Sequence, residues 1–225
     1  MYTGSLLPKY RGASPIQQSV LNGDIKTGIT TMYMEEQMDT GNIIQQEEML
    51  IERTDTSKTM FEKLAILGAK TLVSTLKKIE ENCKRLNIKN VKLLNFDASI
   101  YKEEYKEQFD YILCDVICSG IGVMDRKPEI KLFRSQETID EIIELQRKIF
   151  DNAVEYLKDK GEIVYSTCSV LKCENEENVK YFLEKHKNLK IKDVEFLSKS
   201  EKFIKLLPEK QKHNGFFIIK FVKEN

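Results

Sequence analysis

Apolar and polar residues alternate along this chain in two rhythms, and the change of rhythm divides it. The first twelve residues are loop-like, punctuated by Gly4, Pro8 and Gly12. A short helix is predicted from Pro15 to Leu21, since proline suits a first helical turn, with Asn22-Gly23 ending it. Residues 28–34 (GITTMYM) and 43–51 (IIQQEEMLI) read as strands joined by a turn around Asp39, Thr40 and Gly41. The cluster Asp55-Thr56-Ser57 then supplies N-cap residues for a helix. Its apolar positions Phe61, Leu64, Leu67, Leu72, Leu76 and Ile79 keep helical spacing to about Leu86. At about thirty residues it is far longer than an ordinary globular helix.

Beyond that helix the pattern becomes α/β. Residues 91–96 and 111–114 are short apolar runs that read as strands. An amphipathic helix follows, with Ile139, Ile142, Ile143, Ile149, Phe150, Ala153, Val154 and Leu157 on one face. Thr138 and Glu141 have capping-box spacing at its start. Gly161 opens a predicted strand, EIVYST, that ends at Cys168; a helix over 174–186 and strands near 190–196 and 216–222 complete the chain. Strands alternating with helices imply a mostly parallel sheet, whose ligands sit at the carboxyl ends of the strands. Asp97, Asp115 and Cys168 are all expected at such ends.

Composition narrows the classes. Lysine plus arginine and aspartate plus glutamate both number 36, so no global basic field attracts nucleic acid, and any RNA contact must be a local patch. With 41% hydrophobic and 32% charged residues the chain reads as a soluble, cytoplasmic globular protein; no apolar run is long enough for a membrane. Five cysteines, an odd number, argue against a disulfide framework. The pairs 114/118 and 168/173 lack CxxC spacing and a nearby histidine, so no metal is expected. Cys83 and Cys114 fit simple packing, and Cys173 is incidental. Cys118 and Cys168 differ because each follows an apolar strand and sits among small polar residues, in CSG and STCS. A thiolate there can attack an electron-poor carbon. Asp97 and Asp115 suit either a loop cap or a ligand contact.

The ordered motifs FDYILCDVICSGIGVMDRKPEIK, LQRKIF, YSTCSV, ENE and HNGFFIIKF resemble those of the Sun/Nop family of RNA cytosine-5 methyltransferases, over about residues 79–225. The branch they resemble most is the bacterial enzyme of small-subunit ribosomal RNA. The resemblance implies that Cys168 is the nucleophile that adds to carbon 6 of cytosine. It implies that Cys118 assists proton removal and release, and that Asp115 contacts the cytosine edge near the methyl donor, S-adenosylmethionine. Asp97 would contact the donor's adenosine, and Arg126 and Lys127 would suit a phosphate or substrate loop. Two features depart from the pattern. Val116-Ile117 stands where the family has alanine-proline before its cysteine, and nothing in residues 1–78 resembles the glycine-rich donor loop.

Residues 1–78 instead resemble methionyl-tRNA formyltransferase, through SLLPKYRGASPIQ and MDTGN. Asp39 would be that family's catalytic carboxylate, but its N-x-H motif is replaced by Met1-Tyr2-Thr3, so formyltetrahydrofolate is not expected to bind. The expected architecture is therefore an incomplete Rossmann-like S-adenosylmethionine-dependent methyltransferase sheet, residues 79–225, with an N-terminal partial formyltransferase lobe, residues 1–78. The expected function is rRNA cytosine-5 methylation, impaired by the missing donor loop; a formyltransferase fragment or a non-catalytic RNA-binding remnant are the alternatives. RNA is the expected partner. Without its usual first strand, the strand ending at Asp115 is expected to be an exposed apolar edge, with residues 28–34 and 43–51 either covering it or forming a separate lobe.

Overall fold

The computed structural model describes all residues except 13, 34, 36–38, 125–129, 131–134, 197–198, 209–213 and 225. The expectations placed on Arg126 and Lys127 therefore lie outside the described residues. The chain divides into two compact units, Met1–Phe96 and Asp97–Asn225.

In the first unit, strands β1 (Tyr2–Thr3), β2 (Lys26–Met32) and β3 (Ile43–Leu50) form an antiparallel sheet in that order. The short helix α1 (Pro15–Leu21) and the long helix α2 (Ser57–Arg85) accompany it. Thr56 caps α2: its hydroxyl accepts from the Thr59 amide, and the Thr59 hydroxyl accepts from the Thr56 amide. The face of α2 toward the sheet buries Met60 and Leu64 with Ile16 and Ile29. Further along, the helix meets the sheet through hydroxyls, with Thr75 Oγ1 2.9 Å from Thr31 Oγ1.

The second unit is built on a five-stranded sheet. Strand β4 (Phe109–Asp115) pairs in parallel with β5 (Leu157–Thr167), and β10 (Phe216–Lys223) pairs antiparallel with the other side of β5. The far edge of β10 is shared by β6 (Leu189–Lys192) and β9 (Phe203–Leu206), and β7 (Val194–Phe196) and β8 (Lys199–Glu201) form a separate hairpin. Helix α3 (Gln136–Tyr156) leads directly into β5, and α4 (Glu176–Lys185) follows it. The core is aromatic: Phe150 stacks on Phe182 with centroids 3.7 Å apart and meets Tyr165 and Phe221 edge-on. The α/β class expected from the sequence is present, but the sheet is not mostly parallel: among the described strands only β4 and β5 pair in parallel, and β10 runs antiparallel to β5, β6 and β9.

Three local expectations are corrected. Residues 91–96 form no strand; Val91 and Leu94 are exposed, and no described strand offers them a ladder. Helix α3 is capped by Ser135, whose hydroxyl accepts from the Thr138 amide, so Thr138 lies inside the helix rather than at its cap. Strand β5 starts at Leu157, well before Gly161, because it leaves the helix without a loop. β4 is an edge strand with Tyr111 and Leu113 exposed, and β2 and β3 belong to the first unit's own sheet. Among the described residues no helix is long and apolar enough to cross a membrane.

Candidate active site

Parallel pairing decides what meets at the end of the second sheet. β4 and β5 run side by side in register to Asp115 opposite Ser166, so the loops leaving both strands emerge together. Ser166 Oγ donates to Asp115 Oδ1 at 2.9 Å. Three residues beyond Asp115 and two beyond Ser166, the side chains of Cys118 and Cys168 converge, with Sγ atoms 2.6 Å apart. The Cys168 amide also donates to Cys118 Sγ at 3.2 Å.

The two thiols are not equivalent. Cys118 is buried, and both its contact with Cys168 and its burial push its pKa up. Cys168 is more exposed, and its pKa is lowered because the Cys118 thiol donates to it, an effect that outweighs partial burial and the nearby charges of Asp115 and Glu174. The contact thus favours the thiolate form at Cys168, the sulfur nearer solvent, over Cys118. Cys114, deep in the core, is pushed up to about 12 by burial alone and is inert packing.

Two glycines let the loops close on each other. Gly120 has φ 74°, a conformation that disfavours a side chain. A Cβ on Gly122 would lie 2.5 Å from the Gly215 carbonyl oxygen and 2.7 Å from that of Cys168. Instead the Gly122 amide donates to the Cys168 carbonyl at 3.1 Å, and Gly215 donates to Gly122 at 2.6 Å. The end of the chain thus braces both cysteine loops.

A buried polar network lies beneath the thiols. Glu174 Oε1 accepts from the Ser119 amide at 2.7 Å and from Gln146 Nε2 at 3.0 Å, while Oε2 accepts from Ser119 Oγ at 2.5 Å. Asn175 accepts from Thr167 Oγ1 at 2.6 Å and donates to the Ser169 carbonyl at 2.9 Å. None of these roles follows from the motif spelling. A signal was nonetheless present: Gln146 occupies a core position in the apolar stripe of α3, where a polar residue must find partners.

Of the residues expected from sequence, the structure brings together Cys118, Cys168 and Asp115. Asp97 is not at a strand end. It lies in an exposed turn where its Oδ1 accepts from the Ser99 amide at 2.9 Å and Ser99 Oγ at 2.7 Å, which lowers its pKa. Asp39 belongs to the first unit, buried, with φ 57° and accepting from the Gly12 amide at 2.9 Å. Asp97 is committed to its own turn, and the close glycine pair Gly122 and Gly215 fills its space with backbone rather than leaving a cradle. No described His, Cys, Asp or Glu side chains gather as a metal site.

Comparison with known proteins gives the two halves separate relatives. Methionyl-tRNA formyltransferase of Ligilactobacillus salivarius is 55% identical over 76 residues, 34% of this chain and 24% of that protein. Ribosomal RNA small subunit methyltransferase B of Photorhabdus laumondii is 37% identical over 150 residues, 66% of this chain and 34% of that protein. The crystal structure of NSun6 from Pyrococcus horikoshii with SFG matches with a TM-score of 0.53 and 32% identity, covering 68% of this chain and 39% of that one. The chain thus spans about a quarter to a third of the length of these curated relatives. The sequence profile described as 16S rRNA methyltransferase RsmB/F matches residues 34–222, beginning upstream of residue 79, where the motif resemblance starts. With most of its residues matched by that profile, the chain belongs to the 16S rRNA methyltransferase RsmB/F family.

Proposed function

We propose that this chain carries the pyrimidine-activating half of a ribosomal RNA cytosine-5 methyltransferase, with Cys168 as nucleophile and Cys118 as its proton partner. The observation that carries this is the pair of sulfurs 2.6 Å apart at the ends of two parallel strands. A Cys168 thiolate adds to carbon 6 of cytosine, forming the carbon–sulfur bond and shifting the ring's electron pair toward carbon 5. With no methyl group transferred, carbon 5 takes a proton from the Cys118 thiol; release returns that proton to the Cys118 thiolate, the electron pair re-forms the ring double bond, and the Cys168 thiolate leaves. Cys118, whose thiol is held at that place, exchanges the proton. Asp115, exposed and steadied by Ser166, is placed to accept from the exocyclic amine of the base.

In the family resemblance S-adenosylmethionine supplies the electrophilic methyl group. Nothing in residues 1–78 resembles the family's glycine-rich donor loop, and Asp97 bonds to its own turn. Methylation by this chain is therefore expected to be impaired. The division into a formyltransferase-like fragment, residues 1–78, and a methyltransferase part, residues 79–225, fits a fusion of two remnants. A formyltransferase reading keeps only Asp39 of that family's catalytic motifs.

Nucleophilic addition without methyl transfer is tested with RNA containing 5-azacytidine, which accepts a thiolate at carbon 6 with no donor present. A covalent complex resistant to denaturant is expected, retained by Cys118→Ala and abolished by Cys168→Ala. RNA binding with no covalent complex would favour a non-catalytic RNA-binding remnant. Titration with S-adenosylhomocysteine tests the donor half. No binding is expected, and micromolar binding lost in Asp97→Ala would overturn the impairment.

A further inference from the structure

A fully buried carboxyl group among the described residues of the second unit takes no part in the chemistry above. Glu174 is wholly buried, and its two oxygens accept three hydrogen bonds, two of them from Ser119, the residue after Cys118. Gln146, which also donates to Glu174, donates to the carbonyl of Ile117, the residue before Cys118, at 2.9 Å. On the other loop, Ser119 Oγ lies 3.1 Å from Oγ of Ser169, the residue after Cys168. The Glu174 carbonyl is itself held by Tyr165 OH at 2.8 Å. One carboxyl group thus grips the residue after Cys118 directly, the residue before it through Gln146, and the residue after Cys168 through a serine pair.

We infer that Glu174 is a positioning residue of this site: its carboxyl group clamps the Cys118 loop against the Cys168 loop and so sets the contact between the two sulfurs. The inference rests on the reading of Cys168 as nucleophile. A buried carboxyl group is a costly way to fill a core, and apolar packing serves stability at least as well. What the carboxyl group adds here is direction. It accepts from a backbone amide and a hydroxyl of the same residue, which fixes that residue's orientation as an apolar contact does not.

The charged or titratable groups acting on Cys168 are Cys118, Asp115 and Glu174, and they separate two roles for Glu174. If Glu174 acted on Cys168 only through its charge, replacing it with glutamine would lower the pKa of Cys168, since that charge raises it. If Glu174 acts by holding Cys118 in place, the same replacement loosens the thiol donor and raises the pKa. The two signs are opposite.

The test is the pH profile of iodoacetamide alkylation at Cys168 in the full chain, resolved by peptide mass mapping. In Glu174→Gln the profile is expected to move up by about one pH unit, roughly a tenfold loss of rate near neutrality. Ser119→Ala keeps the backbone bond to Glu174 and is expected to move part of the way in the same direction. Adding Glu174→Gln to Cys118→Ala should give no further upward shift. A downward shift or no shift in folded Glu174→Gln overturns the inference. Should that variant fail to fold, an unshifted profile in Ser119→Ala overturns it. A wild-type Cys168 no more reactive than Cys173 would instead strike at the nucleophile reading, and the two failures are thereby told apart.

Discussion

The two units of this chain hold their elements together in different ways. The second has a continuous core in which Phe150, Tyr165, Phe182, Phe217 and Phe221 are all inaccessible to solvent. Among the described residues, the first gathers four buried apolar side chains in its cluster, Ile16, Ile29, Met60 and Leu64, with partly buried Met49, Phe61 and Leu67 against them, and its helix also meets the sheet through a threonine pair. The difference bears on where the cysteine pair sits. Sulfurs held at contact distance need a rigid base, and only the second unit has parallel strands on a close-packed aromatic core to supply one.

That contrast can be broken by mutation. Phe182→Ala removes a ring stacked on Phe150 and touching Tyr165 and Phe221, and should cost about 3–5 kcal/mol in denaturant unfolding. Leu64→Ala in the first unit should cost about 2–3 kcal/mol, because a smaller core relaxes more easily. Equal losses would show the two cores to be alike.

The site's own dependence on that base is sharpened by Cys118→Ala. Removing the thiol that donates to Cys168 returns the Cys168 pKa upward, so alkylation of Cys168 near neutrality should slow about tenfold. An unchanged rate would mean that Cys168 owes its acidity to something other than its neighbour.

A smaller effect lies between α3 and α4. Asp151 accepts from His186 Nε2 at 2.7 Å, Lys185 Nζ at 2.7 Å and Tyr181 OH at 3.2 Å. Burial raises its pKa, but the bonds from His186 and Lys185 prevail and hold it below the usual carboxylate value. A depressed carboxyl pKa stabilises the fold above the unfolded value, and the contribution is lost as pH falls through the folded one. Asp151→Asn should therefore cost about 1 kcal/mol at neutral pH and nearly nothing well below the carboxylate range, read by urea unfolding at both. The least effect is expected from Thr56→Ala at the cap of α2, about 1 kcal/mol or less.

How much of this could be read from sequence varies with what each residue's placement depends on. The stripe of α3, the cap at Thr56 and the apolar runs of β4 and β5 are local patterns, and the structure follows them. Cys118 and Cys168 were legible as strand-end residues because adjacent parallel strands bring their ends together whatever the loops do. Residues 91–96 failed as a strand because an apolar run becomes a strand only beside a partner, and sequence does not say whether one is there. Asp97 moved with them, from a strand end to a turn of its own. Glu174 was invisible for another reason. The segment leading into α4 looks solvated and acidic, and only the fold reveals that Ser119, fifty-five residues earlier, finds its acceptor there.

The most direct measurement is the rate of iodoacetamide alkylation at each cysteine of the unmodified chain across pH. The account predicts that Cys168 reacts first, with a midpoint below that of an ordinary thiol, while Cys118 and Cys114 stay protected. Cys118 reacting ahead of Cys168, or Cys168 titrating at or above the ordinary thiol range, would contradict it.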